Sequence, residues 1–220
     1  MDANMKNMIM TAMAALCLLL GIFGALGSTW LVPTGSDADD MEDANMDAGM
    51  GLTSSWTSTE MDSADECDAA KKQGDAMAEE EFDMDMEYEC DGKVLTMTMS
   101  FSTVCDAEGP DYEDACDMAT GGMIGTIGMW TGIICALMVT LMMVLPMAGI
   151  DAMDAVPEIG KTIATWGAGA LMLVGMLGWY IMIPETDSET GLGMAGWLAG
   201  AAMSMGLGSA LIGQFIEADE

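Results

Sequence analysis

Six cysteines, a set of alternating methionines and a run of carboxylates are the residues through which this chain could do chemistry. Cys67, Cys90, Cys105 and Cys116 all fall within one long polar segment. An even set there predicts two disulfides and an oxidising compartment. Met84, Met86, Met97 and Met99 alternate along two stretches that read as one hairpin face, and thioethers suit Cu(I). The chain carries 28 Met, however, so methionine is read as a general hydrophobe that fills irregular apolar contacts. Asp37, Asp39, Asp40, Glu42 and Asp43 are hard oxygen ligands of the kind Ca²⁺ takes, but their spacing is not that of an EF-hand loop. A solvated acidic coat with at most weak divalent cation binding is the expectation. No metal ligand and no cofactor is assigned.

The missing residue types narrow the function further. There is no His and no Arg, and five Lys stand against 36 acidic side chains, for a formal charge of −31. Without His there is no Ser-His-Asp triad, no imidazole ligand and no imidazole proton shuttle. Without Arg there is no bidentate phosphate clamp, and the net charge repels nucleic acid. No nucleophile–base pair is visible, so the chain is not expected to be an enzyme.

Half of the chain, 52%, is nevertheless hydrophobic, so charge and apolar residues must be segregated. Four uncharged runs, 8–32, 118–150, 162–184 and 190–216, each exceed the roughly 20 residues that cross a bilayer core. The lipid bilayer is therefore the first expected partner. Between the runs lie the long polar segment 33–117, a turn at 151–161 and a short loop at 185–189, with ends at 1–7 and 217–220. Ala25-Leu26-Gly27 resembles a signal-peptide cleavage site, but the length of the first run favours an uncleaved helix. Lys6 and Lys161 precede the first and third runs and so fall on one side, which the positive-inside rule makes cytoplasmic. Both termini are then cytoplasmic, the long segment is extracellular, and the plasma membrane is the expected location. Cys17 and Cys135 fall inside spans and read as buried thiols.

The long segment holds 26 of the 36 acids and three Lys, or about −23. Residues 34–49 read as a solvated loop, 51–59 as a strand around Trp56, and 60–79 as polar and Ala-rich with a short helix near KKQGDAMAEE. Two strict alternations, EFDMDMEYEC and KVLTMTMSFSTVC, meet at Asp91-Gly92, a strong hairpin signal. Pairing Cys90 with Lys93 sets Tyr88 against Leu95, Met86 against Met97, Met84 against Met99 and Phe82 against Phe101. The acidic residues Glu89, Glu87, Asp85 and Asp83 then share the other face. A straight strand from Lys93 carries Cys105 roughly 40 Å from Cys90, too far for a bond that needs Cα atoms within about 7 Å. Of the three connectivities, Cys67–Cys90 with Cys105–Cys116 is preferred as the shortest-loop option.

No Asp, Glu, Lys, Arg or His lies within the four runs, which argues against a pump or a proton-coupled carrier. Glycine is frequent instead, as at Gly121, Gly125, Gly128 and Gly132, and small residues at this spacing let helices approach closely in lipid. Packing within one bundle is the preferred reading over an oligomer face. Pro146 is expected to kink or end the second helix.

The layout resembles the claudin/PMP22-type four-span superfamily. The residues that carry the likeness are Trp30 in GSTW after the first span, Gly51-Leu52 with Trp56 in GLTSSW, and Gly196-Trp197 in the last span. The chain departs from the pattern in having Thr53 where Trp would follow Gly-Leu, in its four loop cysteines, and in lacking an Arg beside a cysteine pair. The resemblance implies a membrane α+β fold: a four-transmembrane-helix bundle with a disulfide-linked antiparallel β extracellular domain. It implies cell-surface contact, lateral assembly, or service as an accessory subunit of a membrane complex. The partners would be further copies of the chain or another membrane protein. The alternative is an acidic cation-binding surface protein or a component of a cation-selective pore.

Overall fold

The computed structural model describes residues 2–78, 86–106, 113–150, 156–184 and 189–216. In chain order its elements are α1 (Ala3–Leu26), β1 (Leu31–Pro33), α2 (Ser36–Asp43), β2 (Met46–Met50), β3 (Ser54–Glu60), α3 (Ala64–Met77), β4 (Met86–Asp91), β5 (Val94–Ser100), α4 (Phe101–Asp106), α5 (Glu113–Met147), α6 (Glu158–Ile181), β6 (Thr190–Leu192) and α7 (Met194–Phe215). They form a membrane α+β fold of two compact units. One is made of Met1–Leu26, Ile124–Gly178 and Ala195–Glu220, the other of Gly27–Met123 and Trp179–Met194.

The first unit is the helical bundle. Met5–Leu26, Asp114–Met147, Glu158–Ile181 and Met194–Phe215 are each long and apolar enough to span a bilayer. Only 22% to 39% of each span is buried, so most of this apolar surface faces outward and needs lipid as its solvent. Phe23, Ile127, Ile134, Val174 and Trp197 are among the exposed side chains. Ala14 of α1, Val139 of α5 and Ala164 of α6 form a buried core cluster with Met142 and Met143 against it.

Glycines set the helix contacts within this bundle. A methyl group at Gly175 would stand 2.8 Å from the Gly128 Cα, one at Gly206 2.8 Å from the Gly169 nitrogen, and one at Gly24 2.9 Å from the Ala199 nitrogen. Backbones therefore touch between α5 and α6, α6 and α7, and α1 and α7, which is how small residues substitute for a hydrophobic driving force in lipid. Pro146 lies one residue before the end of α5. Gly149 follows at φ 73, and the Gly149 and Ile150 N–H groups donate to the carbonyls of Pro146 and Leu145. This is a Schellman ending, which satisfies carbonyls that the helix itself leaves open.

The second unit is built on a six-stranded antiparallel sheet of order β4-β5-β3-β2-β1-β6. Two of its strands come from the margins of apolar runs. Run 8–32 takes in most of α1 and then the first two residues of β1, and run 190–216 opens with β6 before α7 begins. Residues 34–49, read as a loop, instead hold α2 and β2. Helix α2 escapes a periodicity reading because its residues, SDADDMED, include none that is buried. The expected strand around Trp56 is β3, and the helix expected near KKQGDAMAEE is α3, which starts seven residues earlier at Ala64.

The β4–β5 hairpin forms with a register two residues from the one expected. Asp91 pairs with Val94, Cys90 with Leu95, Tyr88 with Met97 and Met86 with Met99. The two-residue loop is Gly92-Lys93 rather than Asp91-Gly92. Gly92 has φ 63, and Lys93 has no positive φ, so only the first central position is left-handed. That pattern belongs to a II′ turn, whereas Asp-Gly as the central pair would need both positions left-handed. A slip of two preserves the alternation, so each described side chain keeps its expected face. Beyond Ser100 the chain turns into α4 with Phe101 buried, so the strand does not run on to Cys105. Phe82, Asp83, Met84 and Asp85 lie outside the described residues.

Candidate functional site

The sheet and its two disulfides concentrate the residues singled out above. One face of its β3–β5–β4 part carries Ser55, Thr57 and Thr59, then Leu95, Met97 and Met99, then Met86, Tyr88 and Cys90. Helix α3 is anchored to that part. Ser63 Oγ accepts the Glu66 N–H at 3.2 Å to cap its start. The sequence Ser63-Ala64-Asp65-Glu66 is a capping-box pattern, a signal that would have located this start from sequence. Gly74 lies where a methyl group would be 2.7 Å from the Tyr88 ring, so the absence of a side chain lets the ring seat against the helix. Lys71 donates to Asp75 Oδ2 at 2.9 Å and to the Tyr88 carbonyl, covering an acceptor on an edge strand.

Two disulfides pin this unit. Cys67 of α3 is bonded to Cys90 of β4, and Cys105 of α4 is bonded to Cys116 of α5. The first closes a loop across 23 positions and ties the helix to the hairpin tip; the second spans 11 and ties the end of the sheet segment to the next helix. Cys17 and Cys135 are free thiols, with Cys17 fully buried.

The opposite face carries charge. Glu87 and Glu89 project from it beside Thr98 and Thr96, and both are exposed. The carboxylates of α2 are not gathered toward a point, and no group of three His, Cys, Asp or Glu side chains among the described residues could hold a metal ion. Three of the four methionines of the copper reading, Met86, Met97 and Met99, share the apolar face at half-buried positions, while Met84 is outside the described residues.

The family-like residues divide between the two units. Trp30, with no exposed surface, donates its N–H to the Met50 carbonyl at 2.7 Å and accepts the Gly193 N–H on its own carbonyl at 2.9 Å. Its backbone thus joins the end of β2 to Gly193, the residue after β6, while its ring meets Trp179. Trp179 is a buried partner that sequence reading missed, because an aromatic near the end of an apolar run has no local signature of its partner. Gly51 and Leu52 do not sit on a strand. They form the β2–β3 turn, with the Gly51 N–H donating to the Ser54 carbonyl at 2.7 Å. Leu52 is buried, and a side chain at Gly122 of α5 would collide with its carbonyl. Trp56 Nε1–H donates to the Ser28 carbonyl at 3.1 Å, and its ring covers Gly49 on the neighbouring strand. Gly196 is buried in the other unit, and Trp197 is exposed there.

The site is thus a braced surface: a sheet with one disulfide to its helix and a second disulfide in the same unit, an acidic face, and tryptophans held by hydrogen bonds to backbone groups. Such a surface can present a fixed shape and a fixed charge. The chain matches no known protein family and no curated protein.

Proposed function

We propose that this chain is a claudin/PMP22-like membrane protein that works by contact. Its disulfide-linked β unit faces the extracellular side and both termini lie in the cytoplasm of the plasma membrane. It acts in cell-surface contact or lateral assembly, with another copy or another membrane protein as partner, and it carries out no catalysis. The observation that supports this reading is the covalent bracing of the sheet-bearing unit in a chain whose other unit consists of apolar spans. Rigid loops lose little entropy on docking, so bracing favours recognition. Crosslinking in native membranes, followed by extraction in mild detergent, tests the proposal. Discrete higher-mass species containing this chain are expected, and a pattern of monomers alone would overturn it.

A further inference from the structure

Outside segment 33–117 the chain has two lysines, Lys6 and Lys161, and in the folded bundle both lie at the same end of the spans. Lys6 Nζ donates to the carbonyls of Gly213 at 3.1 Å and Ile216 at 2.6 Å. It thereby caps the last turn of α7, where open carbonyls and the helix dipole favour a cation. Beside this clasp, α1, α6 and α7 enclose an open groove of about 350 Å³ lined by Met10, Lys161, Thr165, Trp166, Ala210 and Gln214.

The donors in this groove are fixed by chemistry. Trp166 Nε1–H donates to Gln214 Oε1 at 3.0 Å. An indole N–H only donates, so the amide oxygen must face the tryptophan, and the NH₂ is what Gln214 offers to other groups. Lys161 Nζ pairs with Glu158 Oε1 at 2.9 Å, but that carboxylate is 89% exposed, so the pair is weak and the ammonium has further hydrogens to give. The Thr165 hydroxyl already donates to the Lys161 carbonyl. The groove therefore offers one ammonium and one amide NH₂.

Its depth identifies the ligand class. Lys161 and Trp166 are the fourth and ninth residues of the span Glu158–Ile181, and Gln214 is next to last in Met194–Phe215. At about 1.5 Å per residue the groove lies roughly 2–12 Å inside the span ends, at the boundary between headgroups and acyl chains. Met10 and Ala210, each five residues from a span end, supply apolar wall roughly 8 Å deep.

We propose that this groove binds the headgroup phosphate of an anionic membrane lipid, with Lys161 and Gln214 as donors and the acyl chains lying along Met10 and Ala210. In a chain at −31, this is a built place for an anion at the bilayer surface. The proposal rests on the four-span bundle alone, so it stands or falls independently of the contact function.

The test is native mass spectrometry of the full chain in mild detergent with phosphatidylglycerol or phosphatidylcholine. The wild type is expected to retain one phosphatidylglycerol in preference to phosphatidylcholine. Lys161→Gln should reduce that preference about fivefold, the worth of one lysine near a membrane surface. Lys161→Arg should keep it. Gln214→Glu, an exposed position that does not endanger folding, should also reduce it. Equal retention of the two lipids by the wild type, or an unchanged preference in both Lys161→Gln and Gln214→Glu, would overturn the proposal. Displacement of the lipid by inorganic phosphate at equal concentration would also overturn it, because the acyl chains would then contribute nothing.

Discussion

The ring of Trp30 meets that of Trp179 edge to face, with centroids 5.0 Å apart and planes at 67°. Both indoles are buried, so the pair joins the segment after the first span to the end of α6 within the sheet-bearing unit. Replacing either by Ala should cost about 3–5 kcal/mol through the cavity left behind. A double-mutant cycle with Leu at both positions should isolate a coupling of about 0.5–1.5 kcal/mol. Denaturant unfolding in detergent micelles measures both, and strict additivity of the single variants would refute the coupling.

Breaking the Cys67–Cys90 link with a Cys67→Ser, Cys90→Ser double variant should lower the stability of the sheet-bearing unit by about 3 kcal/mol. Removing Cys105–Cys116, which closes a shorter loop, should cost somewhat less. A non-reducing peptide map reads the connectivity directly, and a fragment joining Cys67 to Cys105 would contradict it.

Two glycines of α7 should respond oppositely to alanine. At Gly206 the new methyl group would press against the Gly169 nitrogen, so Gly206→Ala should destabilise the bundle by about 1–3 kcal/mol. At Gly200 a methyl group meets nothing within 4 Å, so Gly200→Ala should be neutral or stabilise by up to about 1 kcal/mol. Thermal melts of the two variants in one lipid system provide the comparison.

At the hairpin tip, Gly92→Ala also meets no neighbour, yet its φ of 63 penalises a side chain. The expected cost is about 1–2 kcal/mol, purely conformational. An Asn at the same position should recover part of it, because Asn tolerates the left-handed region.

The acidic segment should gain stability from salt. Its excess charge repels itself, and raising ionic strength from about 0.01 to 0.15 M shortens the screening length from about 30 to 8 Å. The melting temperature should rise with NaCl. Ca²⁺ at matched ionic strength should add little; calorimetry showing millimolar binding with defined stoichiometry would point instead to a specific site.

How much of this was legible in the sequence depended on the range of the interaction. The four spans were legible because charge is absent over whole runs, and lipid enforces that pattern along the chain. The alternation of Met86, Tyr88 and Cys90 against Glu87 and Glu89 was equally plain, since period two is a local property. Register was not, because Asp91-Gly92 and Gly92-Lys93 both offer a glycine to the turn and the two choices conserve every face. Strands β1 and β6 were hidden because three residues at the edge of an apolar run carry no period of their own. The β3–β5 pairing, the seat of Tyr88 on Gly74 and the Trp30–Trp179 contact are products of tertiary packing and left no local trace.

The edge of the sheet also carries information about synthesis. Leu31 pairs with β2 at one position, through Met50, but β1 pairs with β6 along three, through Leu192, Gly191 and Thr190. These partners lie about 160 residues apart, so a chain emerging from the ribosome must insert three spans before β1 acquires its main neighbour. Until then, Leu31 to Pro33 is an unprotected strand edge. Arrival of the segment just before the last helix therefore completes the pairing of β1.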